Sequence, residues 1–149
     1  MITLTPAEKS LRAYLIGLAR QDEDWLRPYG RVAEDTDPEH DPKDRRHARL
    51  KKRLFHISSY EVEHGRPMLS ALVVRSVDYR PGKGMYELAR GLGRMRAEDA
   101  DLEWWNAEIG ELRRYWAAQP DEPMKDAQFD AIMAELAAIK RMIRGMMHG

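Results

Sequence analysis

Leu11, Tyr14, Leu15 and Leu18 fall on one face of a 3.6-residue repeat, and the residues before them open a helix in the expected way. Thr5 is placed to cap, Pro6 suits the first helical position, and Glu8 stands at capping-box spacing from Thr5. This helix is predicted to end between Arg20 and Leu26. Leu50, Leu54 and Ile57 mark a second stripe. Met85, Leu88, Leu92 and Met95 mark a third. Leu102, Trp105, Ile109, Leu112 and Trp116 mark a fourth, with Asp99 or Asp101 at its start. Trp104 lies off that stripe and is expected to cover a neighbouring element.

The segments between these stripes read differently. Arg27 to Asp44 is predicted to be a loop, because it holds Pro28, Gly30, Pro38 and Pro42. Its Asp35, Asp37, Glu39, Asp41 alternation is not a calcium loop. His40 stands where glycine is needed, Pro38 interrupts, and Arg46 occupies the twelfth position. Gly65 and Pro67 break the second helix. Met68 to Val74 is a short apolar run rich in strand formers, predicted to be a buried strand. Asp78 to Gly84, with Pro81, Gly82 and Gly84, is predicted to be a turn.

The last stretch carries the most regular pattern. Phe129, Ile132, Leu136, Ile139, Ile143 and Met146 step by 3, 4, 3, 4 and 3 residues. That is the a/d seam of a heptad repeat, and it predicts a helix that packs against another helix. Asp126 and Asp130 lie early and Lys140, Arg141 and Arg144 late, which complements the helix dipole. Gln-Pro-Asp-Glu-Pro precedes the helix as a stiff linker. The predicted organisation is an α+β domain at 1–118, a linker at 119–124 and an association helix at 125–149. The domain is expected to be mostly α, with four or five helices around a small two- or three-stranded sheet.

Composition narrows the chemistry. Of 149 residues 43% are apolar, enough for a core, and 25 basic side chains balance 25 acidic ones. No overall field therefore draws the chain to nucleic acid or to an anionic membrane. With no cysteine, disulfides, thiolate metal sites and cysteine nucleophiles are excluded. No stretch is apolar for the length of a membrane span, and the chain is expected to be cytoplasmic, with no metal and no cofactor.

Local charge is less even. Lys43, Arg45, Arg46, Arg49, Lys51, Lys52 and Arg53 place seven cations in eleven residues on the second helix. Arg45, Arg46, Arg49, Lys52 and Arg53 are candidate nucleic-acid contacts, each adding salt-dependent affinity. The competing reading is a solvated face partly neutralised by the acidic residues before it. Lys83, between Gly82 and Gly84, is a candidate anion contact where a turn runs into a helix N-terminus.

His56, Glu61, His64 and Arg66 lead the only grouping of catalytic residue types. A histidine beside a carboxylate can act as general base and acid, and Arg66 can steady a phosphate. That chemistry would suit a small metal-independent ribonuclease, although no Zn-protease helix motif or nucleophile elbow accompanies it.

The block Gly65-Arg66-Pro67-Met68-Leu69-Ser70-Ala71-Leu72-Val73-Val74 is followed by Pro81-Gly82-Lys83-Gly84-Met85 and Leu88-Ala89-Arg90-Gly91-Leu92-Gly93. With Glu103-Trp104-Trp105 and Tyr115-Trp116, this resembles a family of small uncharacterised bacterial proteins over roughly Leu50 to Trp116. The resemblance implies no defined activity. More distantly, the order of elements is similar to the winged-helix part of alkyltransferase-like DNA-binding proteins. The Pro-Cys-His-Arg or Pro-Trp-His-Arg motif of that family is missing, so no alkyl-transfer chemistry carries over. The expected function is a non-catalytic interaction module. Its terminal helix would pair with itself or with a partner helix, and the basic helix would give it contact with nucleic acid. The alternative is the hydrolase built on His56, Glu61, His64 and Arg66.

Overall fold

The computed structural model describes residues 1–37, 42–120 and 126–148, with side chains in the last helix described from 134 to 146. The elements run α1 (Pro6–Ala19), β1 (Arg27–Pro28), α2 (Tyr29–Thr36), α3 (Lys43–Glu63), a 3₁₀ helix (Leu69–Leu72), β2 (Val73–Val74), α4 (Lys83–Gly91), α5 (Asp101–Ala118) and α6 (Asp126–His148). The fold is α+β and mostly α. Its sheet is two short parallel strands, with Arg27 opposite Val73 and Pro28 opposite Val74. The chain divides into two compact units, Met1–Ala118 and Gln119–Gly149.

The capping box at the start of α1 forms as the sequence requires. The Glu8 N–H donates to Thr5 Oγ1 at 3.2 Å, and the Thr5 N–H donates to Glu8 Oε1 at 2.8 Å. Leu11, Leu15 and Leu18 turn into the core. Helix α3 spans Lys43 to Glu63 and packs on α1, α2 and the 3₁₀ helix.

The predicted strand at Met68 to Val74 is mostly a 3₁₀ helix, and only Val73 and Val74 pair as strand. The reason lies in what the run must bury. Met68, Ala71 and Val74 enter one hydrophobic cluster, while Leu69, Leu72 and Val73 enter the other. A spacing of three is the 3₁₀ repeat, and it lets one short segment fill two cores at once. All six residues have no exposed surface.

Two further expectations change. The predicted loop from Arg27 contains β1 and the two-turn helix α2, which buries Val32 and Ala33. Pro28 serves as its N-cap, so the proline starts a helix here. Residues 38–41 of that predicted loop lie outside the described residues. On α5, Leu102 is exposed, and Glu108 joins Trp105, Ile109, Leu112 and Trp116 on the buried face. Trp104 behaves as expected: its indole N–H donates to the Arg94 carbonyl at 3.1 Å, and its ring meets Tyr86 edge-on.

Candidate functional site

Among the described residues of the Met1–Ala118 unit, four carboxylates are buried, and each is bonded to a basic side chain. Glu61 accepts from the Nε of both Arg12 and Arg66. Glu108 takes Arg94 in a two-pronged pair at 2.8 Å on each prong, and also accepts the Met68 N–H. Glu8 meets His56 Nδ1 at 2.7 Å. Asp37 accepts from Arg49 at 2.8 Å and lies 3.6 Å from Arg53. Burying a carboxylate costs several kcal/mol unless charge and hydrogen bonds compensate it, so these pairs fix where the helices cross.

The four residues proposed for catalysis are used in these pairs or lie at the surface. Glu61 has both oxygens occupied. The guanidiniums of Arg12 and Arg66 each lie 5.4 Å from the centre of the Tyr60 ring, and Arg12 is at the same distance from Trp116. Burial alone would lower the pKa of Arg66, but its bond to Glu61 outweighs this and raises it. Arg66 Nη2 and Trp116 Nε1 are buried without an acceptor among the described residues. His56 supports the capping carboxylate of α1. His64 is exposed and contacts the Tyr60 carbonyl at 2.8 Å.

The basic run divides by helix face. Arg49 and Arg53 turn toward Asp37, so a member of the acidic segment neutralises part of the basic run. Arg45 and Lys52 are exposed, and Arg46 is half-buried. Lys43, His47 and Lys51 follow at i, i+4 and i+8, and these three line a cleft.

That cleft has a volume of about 890 Å³ and lies among α2, α3, the turn after β2 and the start of α4. Its other cations are Arg31, Arg75 and Lys83, and the carboxylate in its wall is Glu34. Leu54, Phe55, Met85 and Leu88 supply apolar wall. Burial raises the pKa of the Tyr29 hydroxyl, and the nearby Gly82 backbone opposes this. None of His56, Glu61, His64 and Arg66 lines this cleft. Lys83 stands out in the sequence, and Lys43 and Lys51 belong to its basic run, but nothing there brings them together, because the cleft joins segments far apart in the chain. Among the described residues no group of histidines and carboxylates is arranged to hold a metal.

In α6, Leu136, Ile139, Ile143 and Met146 are all exposed, at 46, 51, 51 and 81%. The side chains of Phe129 and Ile132, the first two members of the seam, lie outside the described residues. Among the described residues no helix is long and apolar enough to cross a membrane. No family model matches the chain, and no curated protein or solved structure does either.

Proposed function

We propose that this chain is an association module that assembles with copies of itself through α6. The observation that carries the reading is the exposed row Leu136, Ile139, Ile143 and Met146, which repeats with the a/d period of a helical bundle. Four large apolar side chains on one stripe are stabilised when facing helices bury them. The step of three from Phe129 to Ile132 makes 129, 136 and 143 the a positions and 132, 139 and 146 the d positions. Glu135 then sits at g and Lys140 at e. In a parallel, in-register pair, Glu135 of one copy faces Lys140 of the next. An antiparallel pair would set Glu135 opposite Met142 instead. In the middle heptad, Leu136 at a with Ile139 at d is the arrangement that favours three or four strands over two.

The test is solution mass by light scattering on the full chain and on a chain ending at Ala118. A trimer or tetramer that becomes a monomer on truncation supports the reading. A monomeric full chain, or an oligomer that survives truncation, overturns it.

A second reading, contact of α3 with nucleic acid, draws its support from the exposure of Arg45 and Lys52. Arg49 and Arg53 are engaged by Asp37 and contribute less. Neutralising Arg45 and Lys52 should reduce the salt dependence of any binding, the slope changing by about one for each phosphate they neutralise.

A further inference from the structure

We propose that the cleft between α2, α3 and α4 binds a small phosphate ester carrying an aromatic ring, of the size of a mononucleotide. Its volume, about 890 Å³, lies in the range of pockets that enclose small molecules, ~300–1,000 Å³. Among the described residues, five side chains with fixed positive charge, Arg31, Lys43, Lys51, Arg75 and Lys83, line it against one carboxylate, Glu34. In a chain whose total charge is zero, that concentration is a local property of the cleft. The cations come from separate elements: α2, the N-terminal half of α3, the turn after β2, and the first residue of α4.

Three of these cations have a carboxylate outside the cleft: Arg31 with Asp35, Arg75 with Asp78 and Lys83 with Glu87. Among the described residues Lys43 and Lys51 form no ion pair. They stand two turns apart on the face of α3 that forms the wall, and the ionisable His47 lies between them. An anion inside the cleft would complete their pairing, and a phosphate can accept several such donors at once.

One backbone feature adds to the charge. Gly82 is the N-cap of α4 and offers no side-chain acceptor; the Met85 N–H donates to the Gly82 carbonyl at 3.1 Å, which leaves the N–H groups of Lys83 and Gly84 for another partner. Ser70 lines the same cleft at 4% exposure. Its hydroxyl shares a 2.6 Å hydrogen bond with that of Ser58.

The remainder of the wall sets what the phosphate is attached to. Phe55 is 52% exposed at the cleft, and Tyr29, Leu54, Met85 and Leu88 continue the apolar surface. An aromatic ring packs on such a surface at low entropic cost, whereas a bare phosphate would leave it wet.

The test is a nuclear magnetic resonance titration of the full chain with AMP, adenosine, inorganic phosphate and a short single-stranded oligonucleotide. AMP is expected to shift the amides of residues 82–84 and of 43–55. Adenosine and phosphate should each bind about tenfold more weakly, the loss expected when a charge-assisted bond or the ring's packing is removed. Lys51→Ala should weaken AMP binding about tenfold, the effect of removing one charge-assisted bond. Phe55→Ala should weaken AMP without changing phosphate. Both positions are exposed, so each variant should keep the native spectrum outside the cleft. The proposal is overturned by AMP shifts confined to other surfaces, by adenosine binding as well as AMP, or by an oligonucleotide that binds where AMP does not.

Discussion

Arg66 and Arg94 occupy the same position at the ends of two helices, and each is bonded to a buried glutamate. At the end of α3, the Arg66 N–H donates to the Glu61 carbonyl at 2.9 Å and the Gly65 N–H to that of Val62 at 3.0 Å. At the end of α4, the Arg94 N–H donates to the Ala89 carbonyl at 2.9 Å and the Gly93 N–H to that of Arg90 at 3.0 Å. Both are Schellman motifs with glycine in the left-handed region, at φ +71° and +74°. The reversal brings the next residue, an arginine, back over the helix end. Arg66 reaches Glu61 and Arg94 reaches Glu108. Hydrogen bonds to Glu108 raise the pKa of Arg94 well above its usual range.

This arrangement makes the two glycines structural. Replacing Gly65 or Gly93 by alanine places a Cβ in open space but forces a left-handed backbone on an L residue. Each substitution should destabilise the fold by about 1 kcal/mol through the backbone alone. Thermal unfolding monitored by circular dichroism would read it. An unchanged midpoint for both variants would remove the glycines from this role.

Removing the carboxylate should cost more. Glu61→Ala leaves Arg12 and Arg66 without their common partner, and Glu108→Ala leaves Arg94 and the Met68 N–H without theirs. Breaking one side of a buried pair typically costs about 3–5 kcal/mol. His64→Ala, at an exposed position, should stay within about 0.5 kcal/mol. Urea unfolding of the three variants would separate them. A Glu61→Ala chain as stable as the native one would mean that the pair does not hold α1 to α3.

Acid should loosen the start of α1. Burial pushes the Glu8 pKa up, but hydrogen bonds from the Thr5 backbone and hydroxyl and the interaction with His56 outweigh it, and the net shift is downward. A carboxyl with a lowered folded pKa contributes stability that is complete above its unfolded value, about 4.3, and disappears as pH falls through the folded value. Melting temperatures between about pH 6 and pH 3 should therefore fall less steeply for Glu8→Gln than for the native chain. Parallel curves would assign the acid limb to other groups.

In α6 the order of assembly is open to a direct exchange. Leu136→Ile with Ile139→Leu places the β-branched residue at a and leucine at d, the arrangement that favours two strands. The mass of that double variant should drop to a dimer. Glu135→Lys should weaken assembly, and adding Lys140→Glu should restore it. Mass measurements indifferent to all of these changes would remove α6 from the interface.

Much of the fold was legible locally. The capping box of Thr5 and Glu8, the break at Gly65 and the stripes of α1, α3 and α5 depend on residues within a few positions of one another, so their physics is written in short windows. The a/d period of α6 is legible for the same reason. A proline-rich segment hid α2, since a two-turn helix with Val32 and Ala33 as its buried residues is too short to show a period. The run Met68 to Val74 could not declare itself, because a fully buried segment has no polar face to set its phase.

Charged residues were the least readable from the sequence. Nothing in the sequence marks Asp37, Glu61 and Glu108 as buried, and their partners Arg49, Arg12 and Arg94 stand 12, 49 and 14 positions away. The sequence by itself determined that the stretches of α1, α3, α4, α5 and α6 are helical, where α3 breaks at Gly65 and which stripe of the last helix is apolar, since each follows from local periodicity and backbone preference. Tertiary structure alone decided which charges are buried and which cations share a cleft. Those outcomes depend on desolvation and on distances between elements, and neither exists until the helices cross.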